Sequence, residues 1–268
     1  MIIKKTARFY VIEAVPRLAL RDVTGPAGLA LLRRHGFLIV TSLGSEFERR
    51  LEALRLSMLE WFRQSSETKE DRVGGVYVSE RGVPMFRVGY EAQARIRECF
   101  RIAVAKPLWP GESRAARDAI VLFRKLADRV LAAAVPRPRR AEEEEVDEDF
   151  SVAYAFYYPN TDAYGLDNNG TLVGPHADPS LVVVAPVADV PGLYVFDPAT
   201  QSWLSVEIAA RPRRELVLFS GKALETASRG AIPACVHKVL KTSKTPRLSF
   251  VFEQKYASFY SHLRHFGD

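Results

Sequence analysis

The sequence predicts a mainly β fold with α-helices, in which a double-stranded β-helix (jelly-roll) core carries N-terminal helices packed on it. Three observations support this prediction. After Phe150 the chain consists of short β-rich runs separated by Gly, Pro, Asn and Asp, with no long helical pattern between them. Before that point, apolar residues recur three to four positions apart, which is typical of amphipathic helices. The two parts join at a run of Pro, Arg and acidic residues.

The N-terminal part contains three predicted helices and one short strand. The helical spacing covers residues 28–32, 47–62 and 115–131, and residues 36–40 form the strand. Pro136 and Pro138 end the third helix. The acidic run at 142–149 then predicts a solvated connection, because like charges repel one another. We expect residues 1–150 to pack on a core domain at 151–268 as one structural unit.

The C-terminal part contains about eight predicted strands. They cover residues 151–158, 171–173, 181–187, 193–196, 203–206, 215–220, 234–240 and 247–252. Closely spaced strands of this kind favour an antiparallel double-sheet barrel or jelly roll. The open mouth of such a fold commonly holds a ligand or a metal.

The composition excludes several classes of protein. Among 268 residues, 47% are hydrophobic, the net charge is +6 and only two are Cys, which excludes a disordered chain and a disulfide scaffold. No stretch reaches the roughly 18 apolar residues of a membrane span, and the N-terminus lacks a signal-peptide pattern, so we expect a soluble, cytoplasmic protein. The basic residues are scattered in pairs and triplets, which argues against a nucleic-acid partner. The oligomeric state is not indicated.

The most informative segment is a His-x-Asp motif with a second histidine further along the chain. His176 and Asp178 lie two residues apart, so in an extended strand they point to the same face. His237 could join them from a neighbouring strand. Two neutral imidazoles and one carboxylate on one triangular face leave the opposite side of an octahedral ion open, which suits Fe(II) oxygenases better than a closed zinc site. The sequence therefore predicts that these three residues are the metal ligands.

A second motif, Arg247-Leu248-Ser249, predicts an anion site beside the metal. Arg247 and Ser249 share a strand face, and antiparallel pairing can bring that face close to His237. A buried Arg needs a carboxylate, and no acidic residue is its evident partner in the sequence. A dicarboxylate ligand would supply one through two parallel hydrogen bonds. If the other end of that ligand is an α-keto acid that chelates the metal, the ligand is 2-oxoglutarate.

These motifs resemble the iron(II)- and 2-oxoglutarate-dependent dioxygenase superfamily, in particular the branch similar to isopenicillin N synthase and the plant flavonoid and gibberellin oxygenases. The His-x-Asp, the distal His and the Arg-x-Ser match that family in order and spacing. Further matches are His35 to Val40, Arg97-Glu98-Cys99-Phe100, Trp109-Pro110, Tyr157-Tyr158-Pro159, Val190-Pro191-Gly192-Leu193 and the strand at Trp203. The resemblance therefore covers most of the chain.

The resemblance implies a role for each matching residue. His176, Asp178 and His237 would ligate Fe(II), as catalytic centre. Arg247 and Ser249 would hold the distal carboxylate of 2-oxoglutarate, and Tyr158 would hydrogen-bond this cosubstrate. Many relatives carry Asn two residues before that Tyr, whereas this chain has Phe156, which forms no side-chain hydrogen bond.

The implied reaction is oxidation of an organic substrate with dioxygen and 2-oxoglutarate as cosubstrates and with release of succinate and CO2. We expect hydroxylation or a related C–H oxidation of a small molecule. Three alternatives stay open: a protein or nucleic-acid hydroxylase or demethylase, an oxidase that does not use 2-oxoglutarate, and a non-catalytic binding module. The substrate itself is not identified by the sequence.

Overall fold

Two β-sheets that face each other form the centre of the protein, and the computed structural model describes residues 15–80, 82–93, 96–111, 114–135, 147–161 and 170–260. Most of the acidic run, residues 142–146, lies outside the described part of the chain. This arrangement is the predicted jelly-roll architecture, which is therefore confirmed.

The larger sheet has nine strands in the order β1-β2-β11-β8-β13-β6-β5-β4-β3. Its strands are β1 (Arg17–Ala19), β2 (Phe37–Thr41), β3 (Val73–Val78), β4 (Pro84–Gln93), β5 (Arg97–Ala103), β6 (Val152–Tyr158), β8 (Val182–Pro186), β11 (Leu216–Ser220) and β13 (Arg247–Glu253). All neighbours pair antiparallel except β1 and β2. The strand β13 lies at the centre, between β8 and β6.

The smaller sheet has four antiparallel strands in the order β10-β9-β12-β7. Its strands are β7 (Thr171–His176), β9 (Leu193–Asp197), β10 (Ser202–Ser205) and β12 (His237–Leu240). The register places His237 directly opposite His176. All eight strands predicted after Phe150 are present in the two sheets.

The helices lie mainly at the N-terminal side of the chain. They are α1 (Pro26–His35), α2 (Ser45–Phe62), α3 (Ser66–Glu70), α4 (Arg114–Ala134), α5 (Val206–Ala209) and α6 (Lys222–Ala227). The apolar face of α4 packs on β8 and β13, where Phe123 contacts Phe250. The three predicted helices are therefore confirmed, and they cover the outer face of the larger sheet. No helix in the described ranges combines the length and apolar character needed to cross a membrane.

Four strands, β1, β3, β4 and β5, were not predicted from the sequence. β1 forms one edge of the larger sheet, and β3, β4 and β5 extend it beyond β6. On β5 the side chains of Arg97 and Arg101 line the cavity between the sheets. Polar residues therefore face inward, and the usual alternation of apolar inside and polar outside does not mark this strand.

Candidate metal centre

His176, Asp178 and His237 converge on one point between the two sheets. His176 ends β7, His237 begins β12, and the pairing of these strands places the two imidazoles side by side, with ring centroids 4.3 Å apart. Asp178 follows β7 by two residues. One ligand atom from each residue lies within 4.8 Å of those of the other two. The structure thus brings together the three residues that the sequence predicted as ligands.

The backbone fixes which nitrogen of each imidazole is available. His176 Nδ1 lies 2.9 Å from the carbonyl oxygen of Gly174, and His237 Nδ1 lies 3.2 Å from that of Cys235. Because a carbonyl only accepts, both Nδ1 atoms carry a proton, and Nε2 is the atom through which each imidazole, when neutral, can bind a metal. His176 Nε2 is 3.5 Å and His237 Nε2 is 3.7 Å from the Asp178 carboxylate. In metal-binding histidines, the ring nitrogen that does not bind the metal usually donates its N–H to a carbonyl, a carboxylate or water.

The electrostatics keep the carboxylate ionised. Burial alone would raise the pKa of Asp178, but the hydrogen bond with His176 and the charge of His237 lower it overall. The same hydrogen bond raises the pKa of His176, whereas burial lowers the pKa of His237. A negative oxygen and two nitrogen donors at this spacing match a divalent transition metal, whose cis ligands at bond lengths of about 2.1 Å stand about 3 Å apart.

Three protein ligands would leave further coordination positions of a bound ion free. The side chains of Asp178 and His237 are 12% and 8% exposed, whereas that of His176 is 42% exposed and lies at the mouth. Cys235 next to His237 is buried, which raises the pKa of its thiol, so it stays a neutral thiol and adds no ligand. The arrangement therefore fits an ion that binds further small ligands.

A cavity of about 270 Å³ opens beside the three residues. Its wall comes from both sheets, and on β13 it receives the alternating residues Arg247, Ser249, Val251 and Glu253. Phe250 and Phe252 on the opposite face are buried in the main core. The strand therefore separates a polar cavity from the apolar contact with the helices.

The expectation that Arg247 lacks an acidic partner within the chain is wrong. The side chain of Glu207 from α5 is 2% exposed, and both of its carboxylate oxygens lie near Arg247 Nη2, at 2.9 and 3.1 Å. The pairing was hidden because Glu207 is 40 residues away, in a one-turn helix that the strand pattern did not predict. Burial of a guanidinium requires a counter-charge, and this chain supplies one itself.

Arg247 nevertheless keeps unused hydrogen-bond donors. The residue is 3% exposed, and neither Nε nor Nη1 has a partner among the described residues. Ser249 lies two positions further along the same strand face, and the Arg247 guanidinium lies 5.5 Å from the centre of the Tyr158 ring. These donors can bind a second, external carboxylate. The cavity therefore combines a metal-type donor set with an anion site, which fits the two ends of 2-oxoglutarate.

Tyr158 is a neutral hydrogen-bond donor at the edge of this anion site. It pairs with Arg247 in the strand register and is 2% exposed. Burial raises the pKa of Tyr158, although Arg247 and Arg97 act in the opposite direction. Its hydroxyl group therefore keeps its proton at neutral pH.

An aromatic ladder on β6 forms one wall of the cavity. Tyr154 and Phe156 are stacked at 5.3 Å between ring centroids, with 8° between the ring planes. The guanidinium of Arg97 lies 5.5 Å from the centre of Phe156, and that of Arg101 lies 5.9 Å from the centre of Tyr154. Phe156 thus uses its ring face as a stacking surface for a cation.

Sequence reasoning missed several residues that line the cavity. Arg101, Glu207 and Glu253 belong to no motif that was recognised. Glu253 lies beside Lys255, whose Nζ is 2.8 Å from its Oε2, and burial raises the pKa of Glu253. The only available signal was the two-residue period on β13, which places Glu253 on the same face as Arg247.

Comparisons with known proteins agree with this geometry. Residues 149–255 match the family model for the 2OG-Fe(II) oxygenase superfamily. No curated protein matches the sequence.

Solved structures share the fold at low identity. A rice dioxygenase for auxin oxidation is 19% identical, with a TM-score of 0.63 over 89% of this chain and 82% of that one. A full-length Neurospora crassa protein in complex with alpha-KG and thymine is 15% identical, with a TM-score of 0.63 over 90% and 86%. The 2-oxoglutarate complex of Arabidopsis thaliana dioxygenase for auxin oxidation 1 is 14% identical, with a TM-score of 0.62 over 89% and 91%.

The family match covers the part of the chain that contributes the His-Asp-His cluster and the Arg-x-Ser strand. Residues 149–255 are therefore a domain of the 2OG-Fe(II) oxygenase superfamily, whose members are iron- and 2-oxoglutarate-dependent oxidoreductases.

Proposed function

We propose that this protein oxidises a C–H bond of a small organic substrate, with Fe(II) held by His176, Asp178 and His237. The observation that carries the proposal is the convergence of these three side chains within 4.8 Å at the mouth of a cavity whose far end presents an arginine with unused donors. Iron and 2-oxoglutarate, when bound, would supply the oxidising chemistry, with dioxygen as oxidant and succinate and CO2 as products.

The residues of the chain then have distinct roles. Arg247 and Ser249 would bind the distal carboxylate of 2-oxoglutarate, and the neutral hydroxyl group of Tyr158 would donate a further hydrogen bond. The two backbone carbonyls behind His176 and His237 would keep both Nε2 atoms directed at the iron. The opposed sheets would exclude bulk water from the buried end of the cavity.

The size and lining of the cavity support a small substrate. A volume of about 270 Å³ is at the small end of the range for small-molecule pockets and leaves no room for a folded chain. The rings of Phe86, Tyr154 and Phe156 make part of its wall aromatic. Two of the structurally similar proteins are described with auxin oxidation and with bound thymine, and both auxin and thymine are small ring compounds.

The proposal is tested by anaerobic reconstitution with Fe(II), followed by addition of oxygen and 2-oxoglutarate and measurement of succinate across a metabolite panel. We expect succinate release that requires Fe(II) and 2-oxoglutarate and that increases with a small substrate. Oxidation of the substrate that continues unchanged without 2-oxoglutarate, or no succinate release at all from fully iron-loaded protein, would overturn the proposal. If only a protein or a nucleic acid increased succinate release, and if that increase depended strongly on salt concentration, the assignment of a small-molecule substrate would be overturned.

A further inference from the structure

Glu207 is a buried carboxylate at the end of the cavity that carries Arg247. It lies on the one-turn helix α5, directly after the smaller sheet strand β10. Its side chain is 2% exposed, and it lines the same cavity as the metal centre. A carboxylate so deeply buried requires several donors.

The backbone of the β8–β9 connection supplies three of these donors. The amides of Gly192 and Leu193 donate to Oε2 at 2.7 and 2.8 Å, and the amide of Ala188 donates to Oε1 at 3.3 Å. Arg247 Nη2 completes the set. Because the amides belong to the backbone, the carboxylate has one fixed position in the fold.

The fixed carboxylate in turn determines where the guanidinium points. Glu207 occupies only Nη2, so Nε and Nη1 have no partner among the described residues, and Nη1 is left for another anion. Gly192 lies against the stem of Arg247, where an added Cβ would stand 2.8 Å from Nε, and the Tyr158 ring lies near the guanidinium. Arg247 is therefore held in one orientation before any ligand binds.

We propose that Glu207 is the positioning residue of the anion site: it holds the Arg247 guanidinium by Nη2 so that Nη1 is directed at the distal carboxylate of 2-oxoglutarate. The inference rests on the proposed function and adds a residue to it. Preorganisation of this kind strengthens binding because the side chain does not have to be ordered when the ligand arrives.

The substitution Glu207→Gln tests the proposal, because it keeps the shape of the side chain but turns an NH2 group toward either the backbone amides or Nη2. We expect calorimetric titration of anaerobic Fe(II)-loaded protein to show a Kd for 2-oxoglutarate raised by about tenfold or more, equivalent to at least about 1.4 kcal/mol. The Kd for 2-oxobutyrate, which keeps the keto acid but lacks the distal carboxylate, should stay within about twofold.

The matched control is Glu215→Gln, which removes another buried carboxylate paired with an arginine, Arg17. It should leave the Kd values for 2-oxoglutarate and for 2-oxobutyrate unchanged. An unchanged or lower Kd for 2-oxoglutarate in Glu207→Gln, or an equal loss for both keto acids, would overturn the positioning role. Wild-type protein that fails to bind 2-oxoglutarate would instead overturn the proposed function.

Gly192→Ala provides a second route if Glu207→Gln does not fold. It leaves the charge of Glu207 in place and displaces Arg247 Nε from the side. The proposal predicts the same selective loss of 2-oxoglutarate over 2-oxobutyrate. Equal binding of 2-oxoglutarate by Gly192→Ala and wild type would contradict it.

Discussion

At the scale of single residues, the candidate metal centre is defined by which atoms the backbone leaves free. Carbonyl oxygens hold both Nδ1 atoms, and the ionised Asp178 lies between the two Nε2 atoms. Asp178 contributes the only negative charge of the triad, so it is the residue whose loss should matter most to a cation.

Asp178→Asn should abolish metal binding without unfolding the protein. The substitution keeps the size of the side chain and removes the charge, and we expect metal affinity to fall by more than about 100-fold, since loss of an outer hydrogen-bond partner alone costs about 10–100-fold. Titration with Fe(II), together with circular dichroism, checks this. Asp189→Asn, at a surface ion pair, is the control. Wild-type affinity in Asp178→Asn would remove Asp178 from the ligand set.

The Arg247–Glu207 pair gives a second prediction at this scale, because it links the anion site to stability. Arg247→Met leaves Glu207 buried without its counter-charge and should lower the free energy of unfolding by about 3–5 kcal/mol. The double variant Arg247→Met/Glu207→Gln removes both charges and should recover most of that loss while 2-oxoglutarate binding stays absent. Urea unfolding measures both effects. A single variant as stable as wild type would show that the pair is not buried as described.

At the scale of elements, the sequence predicted the strands that bear regular patterns and missed β1, β3, β4 and β5. The eight strands after Phe150 alternate or form apolar runs between turn residues, and all were found. The strand β5 was missed because Arg97 and Arg101 face inward, and β3 because Gly74 and Gly75 weaken its apolar pattern. His176 and Asp178 could be grouped from the sequence because their motif is local, and His237 because its spacing resembles that of the family, whereas the contact of Glu207 with Arg247 depends on tertiary folding alone.

The start of α1 provides a test of packing between elements. A Cβ on Gly28 would lie 2.0 Å from the carbonyl oxygen of Val23, so the helix and the preceding turn approach too closely for any side chain. Gly28→Ala should therefore lower the free energy of unfolding by about 1–3 kcal/mol, despite the higher helix propensity of Ala. The control is Gly75→Ala, where nothing lies within 4 Å of the added Cβ. Equal denaturation curves for wild type and Gly28→Ala would contradict the close contact.

At the scale of the whole molecule, the cavity lies between the two sheets. His176 and His237 belong to the smaller sheet, while Arg247, Ser249 and Tyr158 belong to the larger one. A ligand set that includes both the metal and 2-oxoglutarate therefore bridges the sheets, and its binding should stabilise the fold as a unit.

Fe(II) and 2-oxoglutarate together should raise the melting temperature of the protein under anaerobic conditions. A ligand at 100 times its Kd adds about 2.7 kcal/mol, which corresponds to a shift of about 5 °C or more for a domain of this size. Scanning calorimetry with and without a chelator measures the shift. Asp178→Asn should show none of it, and an equal shift in that variant would place the stabilising metal elsewhere.

We expect His176, Asp178 and His237 to bind one Fe(II) ion. Anomalous diffraction at the iron absorption edge, from crystals grown anaerobically with Fe(II), measures where the ion lies. It should show one strong peak about 2.0–2.3 Å from both Nε2 atoms and from a carboxylate oxygen of Asp178. A peak at another place, or a fully loaded crystal in which these three residues touch no iron, would contradict it.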